Sequence, residues 1–166
     1  YPDIPVVVGE RRVAAAQEVL AKSAVDFLVC DDAFQHRSLH RDLNILLFDA
    51  TEALKNYRVL PVGRAREQIS PALKRADIVI LTKANLVSAD ELEARKVWIR
   101  EKTDKPIVEA DWVYKGLRSL EGEKKDSLKD AGLLVSGVAK PETIERLLDG
   151  KVKVVKHRTF GDHHRY

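Results

Sequence analysis

The sequence predicts a three-layer α/β fold with a mainly parallel sheet, and three observations lead there. Short apolar runs such as Leu43-Asn44-Ile45-Leu46-Leu47-Phe48 and Ile78-Val79-Ile80-Leu81 read as buried strands. Between such runs lie segments with apolar residues at helical spacing, as from Arg11 to Ser23, where Val13, Ala16, Val19 and Leu20 share a face. The two kinds of segment alternate regularly, as crossover units feeding a parallel sheet do.

Taken in order, Pro5-Val6-Val7-Val8 predicts a first strand, Arg11 to Ser23 a helix, and Phe27 to Cys30 a second strand. Leu43 to Phe48 predicts the third, with a polar stretch to Tyr57 and then Leu60-Pro61-Val62-Gly63. A helix covers part of Arg66 to Ala76, started or interrupted by Pro71, before the strand at Ile78. Ser88 suits the N-cap of a helix from Ala89 to about Lys102, with Glu91 completing a capping box. A strand at Pro106 to Glu109, a looser β region from Trp112 to Leu120 and a strand at Leu133 to Ser136 follow. A helix at Pro141 to Leu148 and a strand at Val152 to Val155 complete the series. The one seam is the charged, aperiodic Glu121-Gly122-Glu123-Lys124-Lys125-Asp126, read as a solvated loop or a hinge. It separates residues 1–120 from 121–166, the latter being the rest of the same core or a second lobe.

At 166 residues the chain has the size of one domain. With 45% hydrophobic and 33% charged residues it is not of disordered composition, and no run approaches the roughly 18 apolar residues of a spanning helix. A net charge of +3 favours anionic partners such as phosphates or acidic headgroups without the basic excess that marks nucleic-acid binding. The single cysteine, Cys30, ends an apolar run and reads as a small buried core residue in a reducing compartment. The sequence has no methionine, opens on Tyr1-Pro2-Asp3 about to enter a strand and stops at Tyr166 after a charged cluster. It is therefore expected to be a piece of a longer protein, and no signal peptide is visible in it.

The most telling stretch is Asp31-Asp32-Ala33-Phe34-Gln35-His36, directly after the apolar run that ends at Cys30. In open α/β sheets ligands sit beyond the carboxyl ends of the strands. Mg²⁺ is usually held by one or two carboxylates, waters and substrate phosphates, so an Asp pair at such a place is the protein half of a Mg-nucleotide site. The other half would be a glycine-rich phosphate loop, and no G-x-x-x-x-G-K-[ST] occurs in the chain.

These residues carry a family resemblance. Asp31-Asp32-Ala33-Phe34-Gln35-His36-Arg37-Ser38-Leu39, then His40-Arg41-Asp42-Leu43, Leu60-Pro61-Val62-Gly63-Arg64-Ala65-Arg66-Glu67 and Lys74-Arg75-Ala76-Asp77 resemble the tetraacyldisaccharide 4′-kinases. The order continues through Ser136-Gly137-Val138-Ala139 to Phe160-Gly161-Asp162-His163-His164, so the resemblance covers nearly the whole chain. It implies a P-loop NTPase-like fold, here incomplete at the N-terminus. It also implies ATP- and Mg²⁺-dependent phosphorylation of the 4′-hydroxyl of a membrane-borne, acylated glucosamine disaccharide in lipid A biosynthesis. The expected place of work is the cytoplasmic face of the bacterial inner membrane, with peripheral membrane contact through an N-terminal segment outside this chain and no nucleic acid as partner. The family's phosphate loop, N-terminal membrane helix and Gly-Asp-Glu-Pro motif have no match here, so the chain alone is expected to be inactive.

By this resemblance Asp31 and Asp32 are a Walker-B pair that orients Mg²⁺ or its waters; the plainer reading is an Asp capping a helix near Ala33. The pair is expected at the carboxyl end of a central strand, within reach of Arg66 or Glu67. Arg64 and Arg66 match phosphate oxygens bidentately, and Glu67 beside them is read as completing Mg²⁺ coordination, against a solvated helix start. Ala65 and Gln68 depart from the family's Leu and Pro in its Leu-Arg-Glu-Pro motif. Gln35 and His36 either lock their loop through the backbone or touch substrate, and Arg41-Asp42 reads as an ion pair before the next strand. Arg12, matching an Arg of the family, is a candidate phosphate or headgroup contact. Asp162-His163 matches the family's Asp-His, whose His is paired with an upstream Asp to take the hydroxyl proton; without the resemblance it would read as a solvated tail.

Thr82-Lys83-Ala84-Asn85 reads as a generic turn, and Lys151, Lys153, Lys156, His157 and Arg158 as the wet face of a strand rather than a surface for anionic lipid. Two rival functions are a nucleotide-binding relative that does not transfer phosphate, and a basic module for anionic lipid or nucleic acid. The latter would bind without Mg²⁺ and weaken steeply with salt.

Overall fold

The apolar run at 78–81 forms the middle of a parallel sheet. Strands β1 (Ile45–Asp49), β2 (Ile78–Thr82) and β3 (Ile107–Ala110) lie side by side in that order, both pairings parallel. The register aligns Asp49 with Thr82 and Thr82 with Ala110, so the carboxyl ends of all three strands are level. The computed structural model describes residues 3–125 and 131–161.

Side chains alternate across a strand, and here one face is the core. Phe48, Val79 and Leu81 are buried on that face with Leu73 of α2 (Ile69–Arg75) and Ile99 of α3 (Ala89–Arg100). Tyr57 and Trp98 close it: Phe48 meets Tyr57 edge-on at 5.1 Å between ring centroids, and Tyr57 stacks on Trp98 at 5.6 Å. Pro71 sits in the first turn of α2, where its missing N–H costs no intrahelical bond. The predicted capping box of α3 is present, with the Ser88 hydroxyl accepting from the Glu91 N–H at 3.2 Å and Glu91 accepting from the Ser88 N–H at 3.0 Å. On the opposite sheet face Ile45, Leu47 and Val108 remain 41%, 61% and 47% exposed.

A hairpin of β4 (Leu117–Arg118) and β5 (Lys124–Lys125) follows, turning at Gly122 with φ +89°. The end of the loose β region and the start of the charged seam thus form one tight hairpin, while residues 112–116 belong to no strand. A second parallel pair, β6 (Gly132–Ser136) and β7 (Val154–Thr159), is joined by the crossover helix α4 (Pro141–Leu148). Pro141 opens α4 at the position its fixed φ favours. β7 starts two residues later than Val152 and runs to Thr159, because its pairing with β6 extends to Ser136–Thr159.

Two expectations fail. Neither 5–8 nor 27–30 forms a strand; among the described residues both are unpaired, and Val6, Val8, Phe27 and Val29 are 81%, 93%, 87% and 97% exposed. A strand exists only with a hydrogen-bonding neighbour, and none of the described strands adjoins them. For the same reason Cys30 is exposed rather than a core residue. Helix α1 (Arg12–Lys22) lies between these segments and buries no residue.

Candidate functional site

The Asp pair occupies a turn rather than a strand end. Asp32 has φ +50°, a left-handed conformation that Asp tolerates better than most residues, and Ala33 behind it is buried. The turn is closed by the His36 N–H donating to the Ala33 carbonyl at 2.9 Å. Arg41 clamps it from below, donating through Nη1 to the carbonyls of Ala33 (3.0 Å) and His36 (2.8 Å) and through Nε to Asn44 (2.6 Å). Arg41 is therefore structural, but through the backbone; Asp42 is fully exposed and among the described residues meets only His40, at 3.7 Å.

Of the Asp pair, only Asp32 is met by Arg66, whose Nη1 donates to both of its carboxylate oxygens, at 2.7 and 2.6 Å. Both side chains are about 60% exposed, so the contact sets geometry more than stability. Asp31 is exposed, and its carboxylate has no partner among the described residues. Among those residues no group of three or more His, Cys, Asp or Glu could hold a metal ion. One free carboxylate beside one Arg-bound carboxylate fits a hard cation that keeps waters and shares phosphate oxygens, and does not fit an all-protein cage.

Glu67 is the most heavily engaged carboxylate of the site. Both its oxygens accept from Nη2 of Arg75 at 2.7 Å, Gln35 donates to it at 3.1 Å, and Arg37 lies at 3.5 Å. Partial burial works against ionisation, yet the hydrogen bonds from Arg75 and Gln35 and the Arg75 and Arg37 charges outweigh it and hold the carboxyl below its usual range. The Arg75 guanidinium in turn lies over the Phe34 ring, 5.0 Å from its centroid.

At the level carboxyl ends of β1 and β2 is a second cluster. Asp49 ends β1; its Oδ2 accepts from Lys83 at 2.8 Å and Lys140 at 3.2 Å, and its Oδ1 from the Thr51 hydroxyl at 2.6 Å. Burial raises the Asp49 pKa, but the Lys83, Thr51 and Lys140 hydrogen bonds prevail and bring it down to about 2. Lys83 is held at φ +58° over the Trp112 ring, 4.5 Å from its centroid. Lys140, just before α4, also pairs with Glu52 at 2.8 Å and so ties the β6-α4-β7 unit to the sheet. Arg64 reaches Glu52 at 3.4 Å rather than the Asp pair.

The segment 64–67 is thus a strap between two clusters, Arg64 on one and Arg66 and Glu67 on the other. Gly63 permits it: a Cβ there would lie 2.2 Å from the Arg58 carbonyl oxygen, which no side chain could relieve. The other candidates are less gathered. The Gln35 side chain joins Glu67, whereas His36 contributes through its backbone. Arg12 binds the Gly9 carbonyl in the turn before α1 and makes no hydrogen bond or ion pair to the Asp turn. Asp162 and His163 lie outside the described residues. His157, expected on a wet face, is instead turned inward, its Nε2 2.7 Å from the Ser136 hydroxyl and its Nδ1 2.6 Å from Glu145. Arg75 stands in one of the motifs that carry the resemblance, with no role assigned to it there, and neither Asp49 nor Lys140 is singled out by the sequence. Their roles depend on non-local contacts, although Asp49 at the end of an apolar run is the pattern that singled out Asp31.

Comparison with known proteins agrees with the motifs. The family model described as Tetraacyldisaccharide-1-P 4'-kinase matches residues 1–166. The chain is similar to the tetraacyldisaccharide 4'-kinase of Bdellovibrio bacteriovorus, 39% identical over 99% of this chain and 49% of that protein. It is likewise 35% identical to that of Anaeromyxobacter dehalogenans, over 99% of this chain and 45% of the relative. Among solved structures it is similar to LpxK from Aquifex aeolicus, the "apo" form in complex with ATP. That match has a TM-score of 0.67 and 31% identity over 93% of this chain and 46% of the other. The chain spans about half the length of the curated relatives it matches.

Proposed function

The chain belongs to the tetraacyldisaccharide 4'-kinase family, and from that premise we propose that it supplies the carboxylate-bearing part of an ATP-dependent lipid kinase. The acceptor is the 4′-hydroxyl of a tetraacylated glucosamine disaccharide 1-phosphate, met at the cytoplasmic face of the bacterial inner membrane. The observation that carries the reading is the Asp31–Asp32 turn, in which Arg66 holds Asp32 by both carboxylate oxygens.

Asp31 and Asp32 would hold Mg²⁺ through oxygen or through its waters. When bound, the ion supplies neutralisation of charge on the β- and γ-phosphates. Arg66 spends only Nη1 on Asp32, and its remaining N–H groups can receive phosphate oxygens. Arg64, 65% exposed at its side chain, is a second cation for the same anion. His163, with Asp162 beside it, is proposed to take the proton of the attacking hydroxyl, the task for which an imidazole near neutrality is suited. Phosphoryl transfer needs little covalent help from protein, so positioning and charge are the main contributions.

The test is transfer of labelled γ-phosphate from ATP to the tetraacyl disaccharide by a full-length protein that carries these residues. Mg²⁺-dependent 4′-phosphorylation is expected. Nucleotide binding with no transfer would replace the reading by that of a non-catalytic relative.

A further inference from the structure

We infer that Arg75 is a positioning residue for the Asp31–Asp32 turn, acting through Glu67 and Phe34, and that Glu67 holds that turn rather than ligating the metal. The inference rests on the reading of Asp31 and Asp32 as the metal-bearing pair. Sequence reasoning places Glu67 on Mg²⁺, but its two oxygens already accept two hydrogen bonds from Arg75 and one from Gln35, with Arg37 nearby. Glu67 is 17% exposed and shared between Arg75, Gln35 and Arg37, which leaves about one of its four lone-pair sites open, whereas Asp32 is 59% exposed and, among the described residues, bound by Arg66 alone.

The platform behind Arg75 is rigid. Ala72, Leu73 and Ala76 around it are 2%, 0% and 1% exposed, so the last turn of α2 is fixed in the core. The turn it reaches is the opposite: Cys30, Asp31 and Asp32 are exposed and belong to no strand. Two links carry the rigidity across, Arg75–Glu67–Gln35 by hydrogen bonds and Arg75–Phe34 by stacking. They grip the residues just after the Asp pair, while Arg66, next to Glu67 in the strap, grips Asp32 itself. Arg is suited to this because one planar group can stack and donate at once, which Lys cannot.

Two measurements test it. In the 166-residue chain Cys30 is the single cysteine and is exposed next to Asp31, so a nitroxide placed on it reports motion of the turn without metal or nucleotide. Arg75→Met and Glu67→Gln should each narrow the spectrum, and the double variant should add little. Glu67→Gln and Gln35→Ala keep the test open if Arg75→Met fails to fold. Spectra unchanged from the parent in folded variants would overturn the inference.

In a full-length enzyme, Arg75→Met should raise the Mg²⁺ concentration needed for half-maximal rate by about tenfold, with the ATP KM little changed. Arg75→Lys should restore only part. If Glu67 were instead a metal ligand, removing Arg75 would free it and lower that concentration; a fall, or no change, overturns the positioning role. An enzyme without kinase activity would count against the proposed function alone, since the nitroxide measurement decides the contact independently.

Discussion

Asp49 shows how a single side chain is fixed by its surroundings. Its folded-state pKa of about 2 lies below its ordinary value, so its contribution to stability is present near neutrality and above about pH 4. It is lost as the pH falls through the window from about 4 to 2. By the linkage relation, the depression corresponds to about 2 kcal/mol. Asp49→Asn should therefore destabilise the chain by roughly that amount at pH 7, and the difference should shrink towards zero near pH 2. Urea unfolding of both proteins at several pH values measures it. A penalty independent of pH would mean that the loss comes from packing and not from the Lys83 and Lys140 contacts. Local chemistry made some single residues legible beforehand. Asp32 and Arg66 meet because two motifs each carry a phosphate- or metal-binding residue type. Nothing local marks the partner of Glu67, because Arg75 is brought to it by the folding of α2.

At the scale of the element, α3 is the most self-determined part of the fold. Ser88 and Glu91 satisfy each other's N–H groups at its start, and Ile99 anchors its other end in the core. Ser88→Ala should cost about 1 kcal/mol and speed hydrogen exchange in the first turn before the rest of the helix. An unchanged melting curve with unchanged exchange would show that α3 is held by Trp98 and Ile99 alone. Among the elements read correctly from sequence, α3, α4, β2 and β6 have caps, a leading proline or an unbroken apolar run, while α1 is legible from its helical spacing alone. Those misread, 5–8 and 27–30, have the right composition for strands but no neighbour among the described residues. Composition states a preference for extended backbone, whereas pairing is a property of the whole sheet. The late start of β7 has the same origin, since its register is set by β6 rather than by its own apolar run.

At the scale of the molecule, the sheet covers one face with α2 and α3 and leaves Ile45, Leu47 and Val108 exposed on the other. Parallel sheets ordinarily have both faces covered. Together with Val6, Val8, Phe27 and Val29 these residues form more exposed apolar surface than scattered side chains explain. The 166-residue chain by itself should therefore bind a hydrophobic dye and associate at high concentration. Absence of both would show that the open face is tolerated in water. The chain alone should also lack 4′-kinase activity, since it contains no phosphate loop.

The division of labour between the Asp pair and His163 is tested most directly by the Mg²⁺ dependence of 4′-phosphorylation in a full-length enzyme, compared for Asp32→Ala and His163→Ala. The expected result is a raised Mg²⁺ requirement for Asp32→Ala, because that carboxylate acts through the metal. For His163→Ala it is a fall in kcat of about 10²-fold, with ATP KM and Mg²⁺ requirement little changed. An Asp32→Ala enzyme with the parent's Mg²⁺ dependence, or a His163→Ala enzyme with near-normal kcat across pH, would contradict it.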